Sequence, residues 1–281
     1  MRKNVGALYA FPLGIWITLF FVLPITVIGV YSFLARGLYG GVVLRFSFEA
    51  YRELFNASLL HTAFTTFCLA ATATVITLGL ALPAAYYIAC SSHRNTLLML
   101  VIIPFWTNFL IRIYAWIAIL GNNGFLNSLL LRTGLVPAYA HFLYNKYAVV
   151  IVLMYTYLPY AVLPLYSAIE KFDFSLLEAA RDLGATKSQA LFRVLIPNIR
   201  AGITTAVLFT FIPAFGQYAV PQLVGGRDSY MLGTVIAREL TVSRNWPLAS
   251  AIAAALTVLT TLSVLAFMRF NRSTGEAIRE G

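Results

Sequence analysis

The chain has 281 residues, of which 60% are hydrophobic and only 11% charged, with a mean hydropathy of +0.81. That composition excludes a soluble domain of this size and predicts an integral membrane protein, because a bilayer core about 30 Å thick is crossed by about 20 apolar helical residues. The net charge of +10 is scattered between apolar runs and forms no stripe, so orientation in the membrane and contact with anionic lipid explain it better than a nucleic-acid surface.

Between Lys3 and Arg36 lie 32 residues free of Asp, Glu, Lys and Arg, and between Arg200 and Arg227 lie 26; both runs are long enough to span. The first predicted helix covers residues 8–34, with Pro12 near its start and Pro24 inside it. Met-Arg-Lys ahead of it looks like the head of a signal peptide, but the run is too long and Phe33-Leu34-Ala35 lacks a small-x-small site, so an uncleaved helix is expected. A loop over 36–58 follows, in which Ser47 to Tyr51 begins a short amphipathic segment. The second helix, 59–89, is rich in Ala and Thr, which favours close packing against other helices. Cys68 and Cys90 fall on it too far apart to bond to each other. After a polar turn at 91–95, a third helix is expected over 97–120, carrying Pro104, Asn108 and Arg112. The loop 121–146 holds an apolar piece, 125–131, suited to the membrane interface. The fourth helix covers 147–169, the fifth, 201–223, is broken by Pro213, Gly216 and Pro221, and the sixth covers 247–268. The expected fold is therefore all-α and integral to the membrane, with six transmembrane helices in one domain over 1–281.

Six spans place both termini and the polar stretch 170–197 on one side. Eleven Lys and Arg residues fall on that side, Arg2, Lys3 and Arg279 among them, against eight on the other, a modest bias that agrees with a cytoplasmic placement of the polar stretch.

The most informative stretch is Glu178 to Pro197, a polar interval between two long apolar runs. Ser175 followed by Glu178 has capping-box spacing, and Thr186 followed by Gln189 has it again, so two short helices joined at Gly184 are expected. Two readings stand. In one, the pair is a rigid lever whose bend at Leu183, Gly184 and Ala185 admits a partner surface, with Glu178 and Arg181 tying it in place. In the other, the interval is a solvated loop.

No Gly-x4-Gly-Lys frame is present around Gly184-Ala185-Thr186-Lys187-Ser188, so ATP would have to be bound by another chain. No span pairs a nucleophile with a base, and His61, His93 and His141 lie far apart, so neither a catalytic nor a metal site is expected. Arg112, one turn after Asn108, is costly inside a span and must face a cavity, face a partner or snorkel; a structural Arg and a pathway-lining one are both open. Breaks in the fifth helix free backbone groups that lipid does not tolerate but a water-filled cavity does, and Gln217, Tyr218 and Gln222 sit there. A proline kink that only shapes packing is the other reading.

Glu-Ala-Ala, three residues, Gly, nine residues and Val-x-Ile-Pro resembles the EAA loop of permease subunits of bacterial ABC importers. PFWTNFLIRIY, LPLYSAIEKFD and the IPAFG…VGG…NWP series are similar to the spermidine/putrescine group, in particular its first-listed permease, over the third to sixth helices. The resemblance implies a type I ABC importer permease fold, in the bacterial inner membrane with cytoplasmic termini, and makes 170–197 a cytoplasmic coupling loop. Within it, Glu178, Ala179, Ala180, Arg181, Leu183, Gly184 and Ala185 would dock into an ATPase. It implies a second permease subunit, often non-identical, two cytoplasmic ATPases that bind ATP and Mg, and a periplasmic or lipid-anchored substrate-binding protein.

Where putrescine-type relatives tend to have Glu, this chain has Gln217 and Gln222, and Asn245 stands where both subgroups tend to have Asp. Polyamine import is the leading expectation; a less cationic amine, such as an opine or amino acid derivative, is the alternative. An ion-gradient transporter would need an intramembrane carboxylate, and all ten acidic residues fall in predicted loops or at span ends.

Overall fold

The computed structural model describes residues 5–133 and 141–277. Arg2, Lys3 and Arg279, counted above for orientation, lie outside them. Two compact units form, one from Met1–Ala63 with Leu232–Leu265 and the other from Phe64–Met231 with Ala266–Gly281.

The first span is built from α1 (Val5–Ile17), a five-residue π-helical stretch (Thr18–Val22) and α2 (Leu23–Tyr31). Thr18 and Thr26 donate their hydroxyls to the carbonyls of Gly14 and Val22 at 2.8 Å, which keeps their polar groups satisfied within the helix. Where the sequence predicts an open loop, an antiparallel hairpin forms from β1 (Leu34–Arg36) and β2 (Val42–Phe46). Its turn needs glycine at Gly40 and Gly41, with φ of +89° and +78°. Arg36 Nη2 donates to the Ser243 carbonyl at 2.7 Å and the Gly41 N–H to that of Arg244 at 2.8 Å, pinning the turn end of the hairpin. The expected amphipathic segment is α3 (Glu49–Leu54), held by a 2.9 Å bond between the Tyr51 and Ser32 hydroxyls.

Helix α4 (Ala57–Cys90) matches its prediction to within two residues at each end, and its buried side is mostly Ala and Thr: Ala70, Ala73, Ala81 and Ala85 are fully buried. The third predicted helix is corrected. In place of one helix over 97–120 the chain forms α5 (Arg94–Ile102), a 3-10 turn (Ile103–Trp106), a break, and α6 (Phe109–Leu120). Pro104 lacks an N–H and so interrupts the helical hydrogen-bond ladder, although Ile103 ahead of it stays helical at φ −50°, ψ −46°. Thr107 and Asn108 are extended, at ψ 153° and 136°, and the Asn108 side chain caps the new helix. The apolar piece after the Gly121 turn is α7 (Phe125–Arg132), and Phe109–Arg132 taken together is apolar enough to cross a membrane.

Helix α8 (Lys146–Glu170), capped by Asn145 through a 2.9 Å bond to the Ala148 N–H, is the most buried span. The polar interval forms α9 (Ser175–Asp182) and α10 (Lys187–Ala190), then a π-helical stretch (Leu191–Leu195) and α11 (Ile196–Asn198). Helix α12 (Arg200–Phe215) leaves at 73° to the helix before it, and α13 (Ala219–Val224) follows a break. Another element that the sequence left as loop, α14 (Leu232–Thr241), precedes the last span, α15 (Trp246–Ala277). Five helices of the described residues are long and apolar enough to cross a membrane, and the bent pair ending in α12 makes a sixth.

The core of the second unit lies between α4, α8 and α12. Ala81, Ala85 and Ile88 meet Ala161, Val162, Leu165 and Ile169, with Leu195, Ile199 and Ala206 closing the group. The closest approach is at Gly202, where a Cβ would stand 2.3 Å from that of Ala168, so α8 and α12 touch nearly backbone to backbone.

Candidate functional site

The polar interval is anchored at its root by an ion pair. Glu170, the last residue of α8, takes a 3.0 Å bond from Arg94 Nη1 and a 2.7 Å bond from the Tyr166 hydroxyl on the same oxygen. The predicted capping box of Ser175 and Glu178 is not formed. Asp173 Oδ1 instead accepts the Ser175 N–H at 3.0 Å, two residues ahead of the expected cap, and Phe174 occupies the cap position without a side-chain bond. Hydrogen bonds from the Ser175 side chain and backbone hold the Asp173 carboxyl below its ordinary range.

Helix α9 ends at Gly184 as predicted, and its geometry is a full Schellman motif. Gly184 has φ +90°, its N–H donates to the Arg181 carbonyl at 2.9 Å, and the Ala185 N–H reaches back to Ala180 at 3.0 Å. The second capping box is formed: the Gln189 N–H donates to Thr186 Oγ1 at 3.3 Å and the Thr186 N–H to Gln189 Oε1 at 2.9 Å. Both ends of the bend are thus fixed by hydrogen bonds within the interval. Leu183 stands at its apex, 90% exposed, and Glu178, Ala179, Arg181 and Gly184 are exposed beside it, while Ala180 and Ala185 are half-buried. The ion pair found among the described residues is Arg94–Glu170; Glu178 and Arg181 are not tied to the chain in that way.

The predicted pathway residues fall in two places of the second unit. Asn108 is a helix cap, its Oδ1 accepting the Leu110 N–H at 2.8 Å. Arg112 lies over aromatic rings, its Cζ 4.7 Å from the centre of Phe105 and 5.9 Å from Phe109, and its Nε and Nη1 are buried without a hydrogen-bond partner. At the other break, Gln217 Nε2 donates to the Tyr157 hydroxyl at 3.0 Å, and its Oε1 accepts the N–H groups of Tyr218 and Ala219 at 3.0 and 3.2 Å. Tyr218 and Gln222 are exposed. Helix α13 packs against both α6 and α8, so the fold brings the two breaks to the same three helices. Asn245, in the first unit, is 7% exposed and caps α15 by accepting the Leu248 N–H at 3.3 Å. It lines a cavity of about 550 Å³ together with Arg36, Glu49, Arg52 and Glu53.

Sequence reasoning missed Tyr157, Phe105, Tyr155 and the Arg94–Glu170 pair. Nothing local in the sequence separates a Tyr that bonds across a helix break from one at a membrane surface. Arg94 and Glu170 are 76 residues apart, and no spacing rule joins them.

Residues 71–275 match the family described as binding-protein-dependent transport system inner membrane component. The chain is 39% identical over 259 residues to the spermidine/putrescine transport system permease protein PotB of Haemophilus influenzae, covering 92% of this chain and 91% of that one. It is 38% identical to the protein of the same description in Escherichia coli, over 92% and 94% of the two chains. In fold it resembles a chain in the crystal structure of a bacterial ABC transporter involved in the import of the acidic polysaccharide alginate, with a TM-score of 0.73, 18% identity and 96% of each chain covered. The architecture is that of a type I ABC importer permease, and the chain belongs to the family of inner membrane components of binding-protein-dependent transport systems.

Proposed function

We propose that this chain forms part of the translocation pathway for polyamines of the spermidine and putrescine kind and couples it to ATP hydrolysis on a separate subunit. The observation that carries the coupling is the bend at Gly184. It is held from within by the Ala185–Ala180 and Thr186–Gln189 bonds, so its shape does not depend on a neighbour, and it presents Leu183 outward with 90% of its surface exposed. A rigid, apolar-tipped bend on the cytoplasmic side is suited to insertion into a groove of a motor protein. Glu178, Ala179, Ala180, Arg181, Leu183, Gly184 and Ala185 are the docking residues in this reading, and 170–197 is the coupling loop of a single permease domain over 1–281. The N- and C-termini are cytoplasmic. The working assembly has a second, non-identical permease subunit, two ATPases and a periplasmic substrate-binding protein.

The substrate class rests on the two relatives described as spermidine/putrescine permeases, similar along nine-tenths of the chain. Asn108, Arg112, Gln217, Tyr218 and Gln222 are the pathway residues in this reading. An opine or amino acid derivative was favoured by amides at Gln217, Gln222 and Asn245. Gln217 accepts the Tyr218 and Ala219 N–H groups at the start of α13 and Asn245 caps α15, roles an amide fills without reference to substrate.

The test is uptake of radiolabelled spermidine and putrescine into proteoliposomes holding the permease pair, the ATPase and the cognate binding protein. ATP-dependent uptake of either amine is expected. Uptake of a zwitterionic amine alone would reject the substrate class, and uptake without the ATPase would reject the coupling.

A further inference from the structure

Arg112 carries the two buried side-chain nitrogens, Nε and Nη1, that lack a hydrogen-bond partner among the described residues. Its guanidinium lies over two ring faces: Phe105 at 4.7 Å, reaching over from before the break at Thr107, and Phe109 at 5.9 Å on its own helix. The Phe105 ring is itself held, stacked on Tyr155 of α8 at 5.4 Å, and Trp116 packs edge-on against the same Tyr155 at 5.4 Å. Two charged donors buried without acceptors cost more than two ring contacts offset. The guanidinium is therefore held less firmly than its burial implies, in a place built for a cation and offering nothing to an anion, since aromatic faces carry negative charge density.

We infer that Phe105 and Phe109, backed by Tyr155 and Trp116, form a binding site for an organic ammonium, which Arg112 occupies with its own guanidinium until a substrate amine displaces it. The site deepens the proposed function and rests on its reading of the substrate as an amine. Displacement frees Arg112 to find an acceptor elsewhere and leaves the amine on the rings. When the amine moves on, the guanidinium returns, so the site is never left empty and substrate is not trapped there. A tethered competitor of this kind lowers affinity within the membrane, which transport needs once the binding protein has delivered its load.

The experiment uses the assembled transporter in nanodiscs, without binding protein, equilibrated with radiolabelled spermidine and separately with tetramethylammonium. Arg112→Ala is expected to retain both probes at a half-saturating concentration at least tenfold below that of the wild type. Arg112→Lys, whose ammonium can reoccupy the rings, is expected to stay with the wild type. Adding Phe105→Leu to Arg112→Ala is expected to return retention to the wild-type level. Equal half-saturation in Arg112→Ala and wild type, in a complex that keeps its ATPase through purification, overturns the inference, as does retention that survives Phe105→Leu. Should Arg112→Ala fail to assemble, Arg112→Met keeps the bulk without the charge and carries the same expectation. Tight tetramethylammonium retention in the variant with no spermidine import by the wild type upholds the ring site and rejects the substrate reading.

Discussion

Gln217 and Tyr157 are joined by a 3.0 Å hydrogen bond across the break between α12 and α13. The bond answers a defect. The Gln217 N–H turns to the Ala214 carbonyl at 3.2 Å, one residue short of helical register, which leaves the Pro213 carbonyl without its partner. The Tyr157 hydroxyl donates to that carbonyl at 3.0 Å and accepts from Gln217 Nε2, closing the break from the neighbouring helix. Tyr157→Phe removes both part-buried bonds and is expected to destabilise the junction by about 1–3 kcal/mol, at about 0.5–1.5 kcal/mol for each bond. A lower melting temperature of the complex, with faster amide exchange confined to 213–219, is the expected result. Unchanged exchange there would mean that the break is held by packing alone.

The approach of α8 and α12 at Gly202 is tight enough to be tested by a single methyl group. The added Cβ of Gly202→Ala would meet Ala168 Cβ at 2.3 Å and the Pro164 carbonyl at 3.2 Å, so one helix must move. Overpacking of this kind costs about 1–3 kcal/mol. Removing the opposing methyl with Ala168→Gly is expected to restore most of the lost melting temperature in the double variant. Failure of the second substitution to rescue the first would show that the two residues are not in contact.

Much of this architecture was legible in the sequence, because lipid imposes a simple rule on composition and length. Helices α4 and α8 lie within two residues of their predicted ends. The Gly184 bend and the Thr186–Gln189 box follow from residue types with few other roles. The third helix was mistaken because apolar composition continues unbroken through Pro104 to Asn108, and hydropathy does not register a change of backbone direction. In sequence Asn108 reads as a polar residue inside a span; in the structure it caps α6, a position Asn favours. The hairpin at Gly40 and Gly41 was hidden because it is braced by distant chain, through the Gly41–Arg244 bond. The environment of Arg112 was out of reach for the same reason: Phe105 is near in sequence, but Tyr155, which fixes its ring, belongs to another helix.

Asp173 gives the interval 170–197 a pH dependence whose direction follows from its cause. Bonds from Ser175 favour the carboxylate and hold its pKa below the ordinary value, so the stability it lends to the start of α9 is fully present above that ordinary value and is lost as pH falls through the lowered one. Amide protection at 175–178 is therefore expected to be flat from pH 8 to pH 5 and to fall only at strongly acid pH. Asp173→Ala should remove that protection at every pH and abolish the acid step. An acid step that persists in the variant would assign it to another carboxylate.

The bend at Gly184 separates backbone strain from partner contact. Space around it within the chain is open, since a Cβ there would meet nothing within 4 Å. Any side chain is therefore resisted by the backbone alone, at φ +90°, a conformation that costs an L-residue about 1–2 kcal/mol. Asn tolerates positive φ better than other residues, so Gly184→Asn should keep the Schellman bonds from Gly184 and Ala185 more fully than Gly184→Val. If strain alone mattered, transport would fall in Val and survive in Asn. If an ATPase lies against the bend, any Cβ meets it, and Asn, Asp and Val should all reduce ATP-driven uptake at least tenfold while the permease remains in the membrane. Comparison of the three by uptake in proteoliposomes, with pull-down of the ATPase alongside, decides between them. Full uptake in Gly184→Asp would remove the bend from the coupling path.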